Sequence, residues 1–277
     1  MFKCKAISVM LVLFMFGCQI NQVDGTVGPK VLRLTTTTSI NDSGLLEYLR
    51  PYLIKEANIE MEIVSLGSGA AIEAGKRGDA DVLLVHSPEA EESFINDGYG
   101  IKRSTFMHNF FVIVGPESDP AGVKHLSAKE AFIKIRDSKS KFVSRGDNSG
   151  THSKEKAIWK HAGFDYEVIG KETDFYVSAG SGMGATLIMA SEQDAYTLTD
   201  LATYLSMRKQ LKSIVIVNSS PDLRNDYSVI VVNPDKVSNV DVETAKAFEA
   251  WMLRESTLNL ISEYGKDTYG EALFYTE

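Results

Sequence analysis

The residues with the clearest chemical potential lie in one short segment, from Arg145 to Thr151. A strand-like run ends at Arg145, and an Asp-Asn-Ser-Gly turn separates it from a helical pattern. This order places a fixed positive charge and hydroxyl groups at a helix N-terminus. Unpaired backbone N–H groups and the positive end of the helix dipole favour an anion there. The segment therefore predicts an oxyanion site formed by Arg145, Asp147, Ser149 and Thr151.

The same segment also fits an ordinary connection between a strand and a helix. In that interpretation Ser149 is an N-cap and Arg145 forms an ion pair at the surface. Both interpretations are compatible with the segment alone, so the rest of the chain has to decide between them.

Three further loops have the same character, because each is rich in glycine or hydroxyl residues and precedes a helical pattern. They are the stretches 35–44, 66–70 and 180–186. Hydroxyl groups and backbone N–H groups in such loops can donate to an anion. The residues that we expect to do so are Thr38, Ser39, Ser68, Met183 and Gly184. Four donor-rich helix starts are hard to explain by capping alone, so the sequence favours anion binding.

Metal binding and catalysis have less support in the sequence. The five histidines show no metal-ligand spacing, so no metal-cation site is predicted. Ser149, His152 and Asp147 can be written as a nucleophilic set, which leaves an exported phosphoester hydrolase as an alternative. No nucleophile-elbow sequence accompanies them. We therefore expect a binding protein that is not an enzyme and needs no cofactor.

An alternating order of strands and helices has to position these loops. Strand-like runs alternate with helical patterns after residue 30, and Phe110–Val114 is a continuous apolar run typical of a strand covered on both faces. The alternation predicts an α/β protein with largely parallel sheets. Ligands bind beyond the carboxyl ends of strands in such sheets, which is where the four loops are expected.

The first residues have the layout of an export signal. Lys3 and Lys5 precede an apolar run that ends at Gly17, and this run is too short to cross a bilayer as a helix. We predict a signal peptide at 1–17 and a polar tether at 18–29. The protein is therefore expected to be exported to the periplasm or cell envelope.

The end of this signal resembles a bacterial lipobox, Met15-Phe16-Gly17-Cys18. Phe16 stands where a small residue is usual. Cys18 is the expected lipidation site, and a lipid there would be the protein's contact with the membrane. Ordinary cleavage that releases a free mature protein is the alternative.

Charge and cysteine content exclude several functions. The formal net charge is −8, and it becomes −10 when Lys3 and Lys5 leave with the signal. An acidic exported protein is a poor candidate for binding nucleic acid or anionic membranes. Cys4 and Cys18 are the only cysteines, so the exported body has no thiol for a disulfide or a thiolate site. Net acidity does not exclude an anion site, because charges beyond a Debye length of ~8 Å are largely screened.

Several motifs, in order along the chain, resemble those of the tungstate-binding proteins of bacterial ABC importers. The resemblance covers nearly everything after the tether. The motifs are Thr36–Ser39 with Asp42–Leu46, Gly78–His86, Phe142–Asp147 with Ser149–His152, Gly182–Leu187, and Ala195–Asp200. One departure is Leu201-Ala202, where that family usually has Arg-Gly. For that reason Tyr196 and Asp200 stay outside the predicted core of the site.

The resemblance implies a two-lobed, class II periplasmic-binding-protein fold. Each lobe would be a mostly parallel sheet flanked by helices, with the ligand in the cleft between them. Lobe 1 would comprise 30–112 plus 229–277, and lobe 2 would comprise 113–228. Phe110–Val114 and Tyr227–Val232 would cross between the lobes. The implied ligand is tungstate or molybdate, which a monomeric receptor would deliver to the membrane permease of an ABC importer.

The arginine loop alone leaves the identity of the ion open. The pattern Arg-x-Asp-x-Ser-Gly-Thr also resembles the core motif of phosphate-binding proteins from the same transporter class, in which the carboxylate accepts the proton of hydrogen phosphate. Asp147 can act in this way because an ionised carboxylate only accepts hydrogen bonds. Fully deprotonated tungstate has no proton to offer it. Phosphate therefore remains the alternative ligand.

Overall fold

The computed structural model of the protein describes residues 28–218 and 220–276. The predicted signal peptide, Cys18 and most of the predicted tether lie outside these residues. In the described part of the chain, no helix combines the length and apolar character needed to cross a bilayer.

The described chain alternates strands and helices, as the sequence predicts. The strands are β1 (Lys30–Thr37), β2 (Ile59–Leu66), β3 (Val82–Val85), β4 (Gly100–Gly115), β5 (Phe142–Ser144), β6 (Tyr176–Ser178), β7 (Thr197–Asp200), β8 (Ile214–Val217), β9 (Arg224–Val232) and β10 (Tyr275–Thr276). The helices are α1 (Thr38–Asp42), α2 (Leu45–Ala57), α3 (Ser68–Arg77), α4 (Pro88–Asn96), α5 (Ala128–Asp137), α6 (Gly150–His161), α7 (Tyr166–Ile169), α8 (Met183–Glu192), α9 (Leu201–Met207), α10 (Val242–Met252), α11 (Glu255–Glu263) and α12 (Lys266–Tyr269).

The first lobe is built on a sheet with the strand order β2-β1-β3-β9-β4-β10. β1 pairs in parallel with both β2 and β3. All four residues of β3 are buried apolar side chains, the pattern of a strand covered on both faces. The carboxyl ends of these parallel strands lead into α1, α3 and the residue His86, so three polar segments meet at one edge of the sheet.

The second lobe is built around β5, β6, β7 and β8. β5 pairs in parallel with β6, and Val143 donates a backbone hydrogen bond of 2.8 Å to Tyr196, which directly precedes β7. β7 and β8 pair with the last residues of β4. β4 therefore belongs to the sheets of both lobes and connects them.

The two-lobed α/β architecture agrees with the prediction, but the sheets contain fewer parallel pairs than expected. Parallel pairing is confined to β2-β1-β3 and to the region of β5, whereas β4 and β9 are antiparallel to the strands beside them. The reason is that β4 leads out of the first lobe and β9 leads back into it, so the two strands run in opposite directions. The residue boundaries of the lobes remain a prediction.

Each lobe has its own apolar core. The core of the second lobe contains an aromatic cluster in which the ring centroids of Phe132 and Trp159 are 4.5 Å apart. The core of the first lobe extends to Met183 and Leu187 of α8 and to Ala202 of α9. α8 and α9 belong to the second lobe, so the lobes pack together along this side of the cleft.

A buried carboxyl group supports the segment that follows β5. Glu155 of α6 accepts hydrogen bonds from Ser144 Oγ at 2.6 Å, from Tyr176 Oη at 2.7 Å and from Trp159 Nε1 at 3.1 Å. Ser144 Oγ also accepts a bond of 3.1 Å from the backbone N–H of Gly146. The turn after β5 is therefore anchored to the interior of the second lobe.

The Glu155 carboxyl group makes the stability of the protein depend on pH. Burial raises its pKa from 4.5 to about 7, although its three hydrogen bonds oppose the shift. The folded state holds the proton of this group more tightly than the unfolded state does. Its contribution to the free energy of unfolding is therefore fully present below pH 4.5 and is lost as the pH rises to about 7. The loss amounts to about 3 kcal/mol.

We predict that Glu155→Gln removes this dependence, since glutamine keeps the shape of the side chain and does not titrate. Between pH 5 and pH 8, the free energy of unfolding measured by urea denaturation should fall by about 2.5 kcal/mol more in wild type than in the variant. Histidines that also titrate contribute equally to both proteins and cancel in the comparison. Glu167→Gln, at an exposed position of the same lobe, is the control. An unchanged pH dependence in Glu155→Gln would contradict this account.

Candidate functional site

Arg145 is a buried cation whose charge acts on His86, after β3, and on Asp200, at the end of β7. It directly follows β5, and its side chain is 7% exposed. Its Nη2 lies 2.5 Å from Asp147 Oδ2, while its Nε is buried and makes no hydrogen bond with any described residue. A buried donor without an acceptor costs about 1–3 kcal/mol. An anion that accepts a bond from Nε would remove this cost.

The turn after Arg145 requires a glycine. Gly146 has a φ of +62°, and a Cβ atom on it would lie 1.8 Å from Ser178 Oγ. A side chain at this position would have to displace the side chain of Ser178, and its backbone would be strained at this positive φ. Gly146 therefore allows Arg145 to leave β5 and enter the cleft.

Most amides of this loop are already paired within it. Ser149 N donates to Asp147 Oδ1 at 3.1 Å, and Asn148 N donates to His152 Nδ1 at 2.9 Å. Ser149 Oγ accepts a bond of 3.2 Å from the backbone N–H of His152, so Ser149 is the N-cap of α6. The loop therefore offers a ligand the Arg145 side chain and the first N–H groups of α6.

The capping of α6 by Ser149 is confirmed, and the role of Ser149 and Arg145 in an anion site stays a prediction that the geometry permits. Ser149 caps a helix, yet its hydroxyl hydrogen can still be donated to a ligand. Arg145 forms an ion pair, but that pair lies in the cleft and leaves Nε uncommitted. Thr151, in the first turn of α6, is also buried.

The first lobe faces this loop with Ser68 and His86. Ser68 opens α3, and its Oγ is buried without a hydrogen-bond partner among the described residues. A Cβ atom on Gly150 would lie 3.2 Å from Ser68 Oγ and 2.6 Å from His86 Cε1. The start of α6 therefore lies directly against the first lobe, and the cleft is narrow at this point.

Thr38 and Ser39 form the first turn of α1, at the carboxyl end of β1. Ser39 Oγ lies 3.2 Å from Thr37 Oγ1 and 3.3 Å from His86 Nε2. His86 therefore lies against both Ser39 and the start of α6, where Gly150 also faces Ser68.

The fourth loop approaches from the second lobe. Ser181 N donates to the backbone oxygen of Arg145 at 3.2 Å, which ties this loop to the arginine loop. Met183 and Gly184 form the first turn of α8, which begins without a side-chain cap. Met183 is buried in the core shared by the lobes, so any contribution from it to a ligand is that of its N–H group.

Sequence reasoning missed a polar array behind His86. His86 Nδ1 lies 2.8 Å from Asn225 Oδ1, and Asn225 Nδ2 donates to Asn109 Oδ1 at 2.9 Å and to Tyr227 Oη at 2.8 Å. The position of His86, immediately after a predicted buried strand, was a usable signal. No local sequence signal indicated Asn109 or Asn225, because these residues meet only through the pairing of β4 with β9.

The charges of these groups differ from those of exposed side chains. Burial lowers the pKa of His86 to about 4, and the nearby charge of Arg145 adds to this effect, so His86 is neutral at pH 7. Burial raises the pKa of Asp147, but hydrogen bonds from Ser149 and the charge of Arg145 outweigh it and lower the pKa overall. Asp147 is therefore ionised, and Arg145 compensates its charge.

The hydrolase alternative lacks its general base. The ring of His152 accepts a bond from Asn148 N at Nδ1 and contacts Tyr166 Oη at 2.6 Å through Nε2. Only the backbone N–H of His152 meets Ser149 Oγ, so the imidazole does not activate that hydroxyl. Within 28–218 and 220–276, no group of three or more histidine, cysteine or acidic residues has the arrangement of a metal site.

Comparisons with known proteins identify the family of the chain. Residues 24–256 match the family model of the PBP superfamily domain. The tungstate-binding protein TupA of Peptoclostridium acidaminophilum is 48% identical over 274 residues, which covers 96% of this chain and 94% of that protein.

Two solved structures are similar over most of the chain. The tungstate-binding protein TupA from Desulfovibrio alaskensis G20 has 40% identity and a TM-score of 0.79, covering 90% of this chain and 99% of that one. The tungstate ABC transporter from Geobacter sulfurreducens has 40% identity and a TM-score of 0.76, covering 84% and 98%. The chain therefore belongs to the PBP superfamily and, within it, to the family of the tungstate-binding TupA proteins.

Proposed function

We propose that this protein is the exported receptor that captures tungstate, and also molybdate, for an ABC importer. The observation that carries the proposal is the buried Nε of Arg145, which has no acceptor among the described residues. Ser68 Oγ, on the opposite wall of the cleft, is in the same situation. Membership of the TupA family supports tungstate over the phosphate alternative.

A tetrahedral oxyanion suits these donors because it presents acceptors in all directions. Arg145 supplies a charge-assisted hydrogen bond, which is roughly twice as strong as a neutral one. Ser68 and Ser149 supply hydroxyl groups. The starts of α3, α6 and α8 add backbone N–H groups and the positive ends of helix dipoles. Together these groups replace the hydration shell that the dianion loses.

An anion bound in this way would hold the lobes together. Ser68 lies on the first lobe, whereas Arg145 and Thr151 lie on the second. A ligand that contacts both sides stabilises the closed arrangement by the difference between its affinities for the closed and open forms. The closed form is the shape that the permease would recognise. A monomer attached through Cys18 would stay near the membrane, and no catalytic step is needed.

We predict that Arg145→Ala lowers the affinity for tungstate at least tenfold, or about 1.4 kcal/mol, because it removes the charge and the uncommitted Nε donor. Isothermal titration calorimetry measures the effect. The matched control is Arg136→Ala, since Arg136 also pairs with a carboxylate, Glu172, in the second lobe. We expect this control to stay within twofold of wild type. An unchanged affinity in Arg145→Ala would remove Arg145 from the site.

We predict that tungstate stabilises the folded protein more than phosphate does. A ligand that binds only the folded state adds about 2.7 kcal/mol to the free energy of unfolding at a concentration 100 times its dissociation constant. Thermal unfolding with equal concentrations of tungstate, molybdate, sulfate and phosphate gives the ranking. Stabilisation by phosphate without stabilisation by tungstate would favour the alternative ligand.

We predict that Gly150→Ala weakens tungstate binding at least tenfold without lowering the stability of the ligand-free protein. The new Cβ would press against His86 and Ser68 and keep the lobes apart. Alanine is also a better helix residue than glycine, so α6 itself should not suffer.

Gly170→Ala is the control for this substitution. Its φ is −60°, and the nearest atom to a Cβ there is 3.4 Å away. Small-angle X-ray scattering with and without tungstate reports closure directly. A Gly150→Ala protein that closes and binds as wild type does would show that this contact does not limit closure.

A further inference from the structure

The choice between ligands depends on acceptors as well as donors. Hydrogen phosphate carries a proton and needs an acceptor in its site, whereas tungstate, molybdate and sulfate carry none at neutral pH and would be repelled by an uncovered lone pair. The described side chains that interact electrostatically with Arg145 and have fixed acceptors are Asp147, Asp200, His86 and His152, and His152 Nδ1 already accepts from Asn148 N. Which anion fits depends on whether these acceptors already receive hydrogen bonds from the protein.

The two carboxylates are already engaged. Asp147 accepts from Arg145 Nη2 at Oδ2 and from Ser149 N at Oδ1. Asp200, which is 1% exposed, accepts from Thr203 N at Oδ1, 2.9 Å away, and from Thr203 Oγ1 at Oδ2, 2.7 Å away. Each of these four carboxylate oxygens therefore already accepts one hydrogen bond from the protein.

The remaining acceptor, His86, has a fixed tautomer. Asn225 uses both hydrogens of its amide, because Nδ2 donates to Asn109 and to Tyr227. The atom that faces His86 Nδ1 at 2.8 Å is therefore the Asn225 carbonyl oxygen, an acceptor. Nδ1 must carry the hydrogen. Since the ring is neutral, Nε2 then has a lone pair on the side of the cleft.

Ser39 covers this lone pair. Its Oγ lies 3.3 Å from His86 Nε2, and because Nε2 can only accept, the Ser39 hydroxyl donates to it. Thr37 Oγ1, 3.2 Å from Ser39 Oγ, can donate in turn. A directed chain of hydrogen bonds thus runs from Thr37 through Ser39 and His86 to Asn225.

We propose that Ser39 and His86 form a filter for the protonation state of the ligand. By occupying His86 Nε2, Ser39 removes one acceptor that would favour hydrogen phosphate over fully deprotonated oxyanions. The inference rests on the proposed oxyanion function and adds to it the residues that set the choice of ion. Buried polar groups discriminate strongly because the wrong ligand leaves them unpaired.

The test is calorimetry with sodium tungstate and inorganic phosphate at pH 8, where phosphate carries one proton. Ser39→Ala uncovers Nε2, which then repels tungstate and can accept the phosphate proton. The ratio of phosphate affinity to tungstate affinity should rise at least tenfold relative to wild type. In the double variant Ser39→Ala with His86→Leu the rise should disappear, because leucine accepts nothing. Ser43→Ala is the matched serine control, as its hydroxyl donates to Ile40 O and not to the cleft.

Replacing His86 leaves the Asn225 oxygen without its donor, so the double variant can be too unstable to assay. Nitrogen-15 NMR of the imidazole rings in the intact wild-type protein tests the same chain without substitution. A protonated Nδ1 and an unprotonated Nε2 are expected for His86. A protonated Nε2 would overturn the filter, and so would an unchanged ratio in Ser39→Ala or a gain that persists in the double variant. Failure of wild type to bind any oxyanion would instead overturn the proposed function.

Discussion

The structure depends on the buried guanidinium group of Arg145, which has one N–H group without a hydrogen-bond acceptor among the described residues. A cation taken out of water is tolerated only when its charge and its N–H groups are satisfied. Asp147 compensates the charge of Arg145 and accepts a hydrogen bond from its Nη2. The Nε group has no acceptor among the described residues. The second lobe holds Arg145 in this state through the Gly146 turn and through Ser144, which is anchored on the buried Glu155. A bound anion that accepts a hydrogen bond from Nε would remove the cost of leaving this donor unpaired.

The two-lobed architecture places the complementary groups opposite that charge. The parallel strands β1, β2 and β3 end at one edge, where Ser39, Ser68 and His86 are found. β4 runs through both sheets, so one strand connects the two lobes. At Gly150 the two lobes lie so close together that a Cβ atom would clash with His86. In the proposed function, binding and closure would use the same set of contacts.

Much of this could be predicted from local sequence. Arg145, Ser149 and Thr151 lie together because the turn and the helix start are encoded in consecutive residues, and strand–helix alternation is sufficient to predict an α/β protein. Features that depend on distant pairing could not be predicted. Asn109 and Asn225 are 116 residues apart and face each other because of the register of β4 and β9. The same antiparallel pairing explains why the sheets contain fewer parallel pairs than the alternation suggested. Ser149 illustrates a different limit, since its capping and site interpretations are compatible and only geometry reveals that one hydroxyl can serve both.

The most direct test of the central claim is a crystal structure of the protein with tungstate, with anomalous scattering recorded at the tungsten absorption edge. The account predicts one tungsten peak between Arg145 and Ser68, with an oxygen of the anion within hydrogen-bonding distance of Arg145 Nε. A cleft without a tungsten peak, or an anion that leaves Arg145 Nε unpaired, would contradict it.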